Sequence, residues 1–174
     1  MMKRRISWNK KVKPAASRTT SPKRSVKTPV RRASGLKPRI KQSNAFELQV
    51  FRLVNMERTS RGIPALTLNS TLAELARLKS TDMRDNNYFG HNSPLYGSPQ
   101  QMLDRFGVEW RASAENIAAG PTTPEEVVRV WMNSTGHRAN ILDRRFTDTG
   151  VGYVAGNPTS EYRTYWTQLF IQRP

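Results

Sequence analysis

His91 and His137 are the only imidazoles in the 174-residue chain, and they lie 46 positions apart. An imidazole titrates near neutral pH, passes protons and ligates metals, so this pair carries the widest chemistry in the sequence. One carboxylate beside the pair, with Glu115 a candidate, would complete the two-histidine, one-carboxylate set that holds a divalent hydrolytic metal such as zinc, with the fourth position left to water. Glu115 has a second available role, accepting a hydrogen bond from a ring nitrogen and fixing its tautomer. His91 and His137 alone would give a weak, exchangeable metal site. By residue type alone, two isolated histidines are more often structural or surface groups than ligands.

Other chemistries fit less well. Ser93 and Ser134 stand near the histidines but lack the strand-turn-helix setting of an activated serine. No His-Glu-x-x-His segment occurs, and the motifs around Glu115 supply no second acid for glycoside cleavage. Asn116 has two readings, lining a cleft or hydrogen-bonding loop amides to hold its shape. Gln168, set among aromatic residues, either lines the cleft or satisfies neighbouring backbone groups, and the second reading is preferred. The chain has no cysteine, which removes disulfides and thiolate metal sites.

Four helices and two strands are expected to position these residues. Asn44 with Glu47 forms a capping box ahead of Phe46, Val50, Leu53 and Val54, and Gly62 and Pro64 end that helix. A second helix starts at Asn69 or Ser70, carries Leu72, Leu75, Ala76 and Met83, and fades at Asn86-Asn87. Ser98-Pro99 opens a short third helix that stops at Gly107, and Thr123-Pro124 opens a fourth, with Trp131 in its inward stripe, that runs toward Gly136. After His137 the pattern changes to strand, first over Gly150–Ala155 and then, past the Gly156-Asn157-Pro158 turn, over Tyr162–Ile171. In the last strand Tyr165 and Leu169 alternate with Trp166 and Phe170, which predicts burial on both faces. The expected fold is α+β, a three-layer α-β-α sandwich around a small, mostly antiparallel sheet.

Charge divides the chain into residues 1–43 and 44–174. Met1–Ser43 holds 15 of the 29 lysines and arginines and none of the 13 acids, whereas residues 44–174 carry 14 bases against those 13 acids. The first segment is also rich in Ser, Thr and Pro, a composition expected of a disordered arm. Lys3, Arg4, Arg5, Lys10, Lys11, Lys13, Lys23, Arg24, Arg31 and Arg32 are its candidate contacts to an anionic wall polymer, a lipid surface or nucleic acid. A solubilising linker is the plainer alternative. No apolar run is long enough for a transmembrane helix, and the arm lacks the apolar core of a secretory signal peptide. A piece of a longer protein, an atypical export route and an internal location all remain open.

Three strings carry a family resemblance: Tyr88-Phe89-Gly90-His91-Asn92-Ser93-Pro94, Ala114-Glu115-Asn116-Ile117-Ala118, and Trp131-Met132-Asn133-Ser134-Thr135-Gly136-His137-Arg138-Ala139-Asn140-Ile141-Leu142. Thr149–Tyr153 and Tyr165–Phe170 extend it in order. The set resembles the bacterial branch of the CAP superfamily of cysteine-rich secretory, antigen 5 and pathogenesis-related proteins. The resemblance implies an α-β-α sandwich with an open cleft, in secreted or envelope proteins, lined by two histidines and two acids that in some members bind a divalent metal such as zinc. His91, Glu115 and His137 match three of those four positions, and Ser134 takes the place of the second acid. The leading expectation is a ligand-binding cleft for a small or extended ligand. The competing expectations are a metal-dependent hydrolase of peptide or cell-wall material and nucleic-acid binding through the arm.

Overall fold

The structure is a computed structural model that describes residues 44–174. The basic segment, with the expectation of disorder and its ten candidate anion contacts, lies outside the described residues. Among the described residues the order is α1 (Ala45–Thr59), β1 (Thr67–Leu68), α2 (Ser70–Asp85), α3 (Pro99–Arg105), β2 (Ala112–Ala119), α4 (Pro124–Asn133), α5 (Thr135–Leu142), β3 (Asp148–Ala155) and β4 (Thr164–Gln172).

The first four helix starts follow from their caps. Asn44 and Glu47 exchange side-chain and backbone hydrogen bonds at 3.0 and 2.9 Å, Asn69 accepts from Thr71 and Leu72, and Ser98 and Thr123 cap α3 and α4. In α1 the buried stripe is Glu47, Val50, Val54 and Arg58, with Phe46 37% exposed. Two charged residues therefore occupy positions that the sequence pattern assigns to apolar ones. Glu47 is accommodated because Oε1 accepts from Arg77 and from the Tyr153 amide.

The strands form one sheet in the order β1-β3-β4-β2, with β1 parallel to β3 and the other pairs antiparallel. Strand β4 is buried on both faces. Leu169 and Ile171 pack with Leu72, Leu75 and Ala76 of α2 and Met102 and Leu103 of α3. Trp166 and Phe170 pack with Val50 and Val54 of α1, Val127, Val128 and Trp131 of α4, and Ile141 of α5. The α-β-α arrangement follows. α2 lies directly on β3: a Cβ at Gly150 would stand 2.1 Å from the Ala73 amide nitrogen, and one at Gly152 would stand 2.2 Å from the Ala76 carbonyl carbon.

Three elements differ from the sequence expectation. Residues 112–119, assigned to no element from the sequence, form the edge strand β2 and pair along their whole length with β4. Residues 135–142, which straddle the point after His137 where the pattern is expected to change to strand, form α5, separated from α4 by the extended conformation of Ser134. β1 is two residues long, too short to leave a periodic signal.

Candidate functional site

Edge strand β2 governs the site. Successive side chains of a strand point to opposite faces, so Glu115 and Ile117 face α2 while Asn116 and Ala118 face α4 and α5. Glu115 reaches the loop after α2, where its Oε1 is 2.7 Å from Nδ1 of His91. Asn116 donates from Nδ2 to the carbonyl oxygen of His137 at 3.1 Å and accepts from Nδ2 of Asn140 at 2.9 Å. The two histidine-bearing segments, one from each face of the sheet, are thus fastened to adjacent residues of one strand. Two carbonyls of β2 are also occupied, that of Glu115 by Asn140 Nδ2 at 3.4 Å and that of Ile117 by the indole nitrogen of Trp131 at 3.2 Å.

Burial is uneven across the site. The side chain of Glu115 is 2% exposed and that of His91 is 54% exposed, so a buried carboxyl orients a ring that solvent reaches. With Nδ1 committed to Glu115, Nε2 of His91 is the nitrogen left for a ligand. Glu115 Oε2 and His137 Nδ1 are buried and make no hydrogen bond among the described residues.

The two imidazoles are pushed in opposite directions. The hydrogen bond that Glu115 accepts from His91 raises the pKa of His91, against a smaller opposing contribution from burial. Burial lowers the pKa of His137, and the charge of His91 lowers it further. As pH falls, His91 protonates first and His137 stays neutral longer.

Ser134 joins α4 to α5 and its side chain makes no capping hydrogen bond. Gln168 lies in β4 directly opposite Asn116, fully buried, with Nε2 on the hydroxyl of Thr149 at 3.2 Å and Oε1 unpartnered. Its bond is therefore to a side chain, not to the backbone groups the sequence suggests. Trp131, Trp166 and Phe170 are core.

Glu115 spends Oε1 on His91 Nδ1, the orienting role, and among the described residues no group of three His, Asp or Glu side chains could hold a metal ion. Sequence patterning also missed Lys79 and Asp82 of α2 and Asn140 of α5, all of which support the site. The available signal for Lys79 was its place on the apolar stripe with Leu72, Leu75, Ala76 and Met83, where an unpaired ammonium is costly. A separate groove of about 440 Å³ between α1 and α4 is lined by residues including Leu53, Met56, Val128 and Met132, and none of His91, Glu115 or His137 contributes to it.

Residues 51–170 match the profile of the cysteine-rich secretory protein family, CAP. The chain belongs to this family. The CAP domain is 51% identical over 128 residues to protein YkwD of Bacillus subtilis (strain 168), covering 74% of this chain and 48% of YkwD. It is 37% identical over 127 residues to the membrane protein YlbC of the same strain, covering 73% of this chain and 34% of YlbC. Among solved structures, an extracellular protein containing an SCP domain from Bacillus anthracis str. Ames superposes with a TM-score of 0.68 and 36% identity, covering 81% of this chain and 45% of that one. The chain spans about half or less of each of these proteins. No helix among the described residues is long and apolar enough to cross a membrane.

Proposed function

We propose that this CAP chain is a ligand-binding domain of the bacterial surface, that His91, Glu115 and His137 form its recognition site, and that the basic segment Met1–Ser43 tethers it to an anionic polymer. One observation carries the reading: Glu115 is buried, orients the half-exposed ring of His91 at 2.7 Å, and keeps a second buried oxygen without a partner. A buried acceptor left unpaired costs about 1–3 kcal/mol, and a ligand that donates to it recovers that cost. The ligand class this fits carries hydroxyl or amide N–H donors for Glu115 Oε2 and an acceptor or donor for His91 Nε2. The surface location draws support from the extracellular Bacillus anthracis protein and from YlbC, a membrane protein.

Native mass spectrometry of the purified full chain tests the site. A bound species present on the parent and absent from Glu115→Ala and His91→Ala is the expected result, and equal occupancy in all three would refute the reading. The tether is tested separately on an anionic matrix. Parent chain should be retained at low salt and released as salt rises, and a chain lacking Met1–Ser43 should pass through. Equal retention of both would remove the tether.

A further inference from the structure

Residues 44–174 contain fourteen basic side chains, of which thirteen are arginine, and Lys79 is the single lysine. Lys79 lies on the buried stripe of α2 and is 1% exposed. It forms no ion pair among the described residues. Its Nζ donates instead to the hydroxyl of Tyr88 at 3.0 Å and to the carbonyl oxygens of Gly90 at 2.7 Å and His91 at 2.9 Å. An ammonium has three donors in a tetrahedral array, and here three acceptors take all of them. A planar guanidinium presents a different set of directions, so arginine is not equivalent at this position.

Asp82, three residues further along α2 and also buried, completes the clamp. It accepts from Ser93 Oγ at 2.6 Å, from Asn86 Nδ2 at 2.6 Å and from the Tyr88 hydroxyl. The Tyr88 hydroxyl therefore accepts from Lys79 and donates to Asp82. The segment from Asn86 to Ser93 is held at five residues, and His91 is the one whose ring leaves the clamp to meet Glu115 across the gap to β2.

Helix packing does not require this arrangement. An apolar side chain on the α2 stripe would pack against the sheet without the desolvation cost of an ammonium, and replacing buried charges in that way is often neutral or stabilising. Burial does lower the pKa of Lys79, with Glu115 and Asp82 opposing it. The expensive group is spent on the backbone of the His91 loop.

We propose that Lys79 is the positioning residue of the histidine site, fixing the carbonyls of Gly90 and His91 so that the His91 ring is presented to Glu115. The functional weight of this assignment rests on the ligand-site reading above, whereas the geometric assignment is tested without any ligand.

The experiment is ¹H–¹⁵N spectroscopy of the imidazoles in full-length parent, Lys79→Met and Lys79→Arg. In the parent, the His91 Nδ1 proton is held by Glu115 and the ring shows one tautomer. Lys79→Met should lose that proton signal and mix the His91 tautomers, while the His137 ring and the Trp131 indole signal stay at their parent positions. Lys79→Arg, with the charge kept and the geometry changed, should lose it as well. A general loss of packing would instead move His91, His137 and Trp131 together. An unchanged His91 pattern in Lys79→Met, or full recovery by arginine, overturns the proposal. Should Lys79→Met fail to fold, ¹⁵N-lysine labelling of the parent decides. The Lys79 Nζ protons, assigned by their loss in Lys79→Arg, should resist exchange and couple across hydrogen bonds to the Gly90 and His91 carbonyl carbons, and rapid exchange without coupling refutes it. A parent with these signatures that binds nothing in native mass spectrometry would sink the ligand reading and leave the positioning role standing.

Discussion

Glu115 and Asn116 are consecutive in β2 and serve opposite faces of the sheet, the first holding the ring of His91 and the second the backbone of His137. The site is therefore written into strand register. β2 pairs with β4 so that Asn116 stands opposite Gln168, and a one-residue slip would exchange the faces of Glu115 and Asn116.

This relationship predicts the behaviour of Glu115→Gln. The substitution keeps size and strand position and weakens the largest cause of the raised His91 pKa. The His91 titration, followed by NMR, should move down toward or below the ordinary histidine value. His137 should stay below that value because burial, its larger cause, is untouched. A His91 titration identical to the parent would show that the 2.7 Å contact does not form in solution.

Much of the frame was legible because helix caps are local chemistry. Asn44, Asn69, Ser98 and Thr123 each announce a start, and the alternation in β4 announces burial on both faces. β2 was hidden because Ala112–Ala119 is built mainly from small residues of weak strand preference, and its identity as a strand comes from pairing with β4 far along the chain. α5 was hidden because Ile141 is its only buried residue, too few for a helical stripe. At the site, His91, Glu115 and His137 stood out through their motifs. Lys79 did not, because a lysine in a helix is ordinarily solvated and only the fold reveals which carbonyls surround it.

The divided histidines also set a pH dependence of stability. A raised pKa in the folded state means that the His91 contribution is complete below the ordinary histidine value and is lost as pH rises through the raised value. A lowered pKa means that His137 costs nothing above the ordinary value and destabilises as pH falls below it toward its folded value. Urea midpoints measured across this range should show His91→Gln flattening the loss on the alkaline side and His137→Gln flattening the loss on the acid side. The reverse assignment would contradict the environments described for the two rings.

Gly150 and Gly152 let α2 approach β3 backbone to backbone. The atoms a new Cβ would strike, at 2.1 and 2.2 Å, belong to the helix main chain and cannot rotate away. Gly150→Ala and Gly152→Ala should each cost about 3 kcal/mol or more in chemical denaturation. The loss should include the His91 tautomer signature, because α2 carries Lys79 and Asp82. Parent-like midpoints would mean that α2 sits further from the sheet in solution.

Arg58 is the counterpart of Lys79 on the other side of the sheet, and the choice of cation again follows geometry. Fully buried near the end of α1, it donates from Nε to Pro64 and from its two terminal nitrogens to the carbonyls of Ile141, Asp143 and Phe146. These acceptors spread over two segments, which suits a planar fork with five donors and not a single ammonium. Ile141 and Asp143 mark the end of α5, the helix that carries His137. Arg58→Met should therefore cost about 3–5 kcal/mol through carbonyls left unpaired. Arg58→Lys should recover only part of that cost. In both variants the His137 ring signals should shift while the His91–Glu115 signature persists, since the clamp on His91 comes from α2. Equal disturbance of both histidines, or of neither, would show that the two faces are not supported independently.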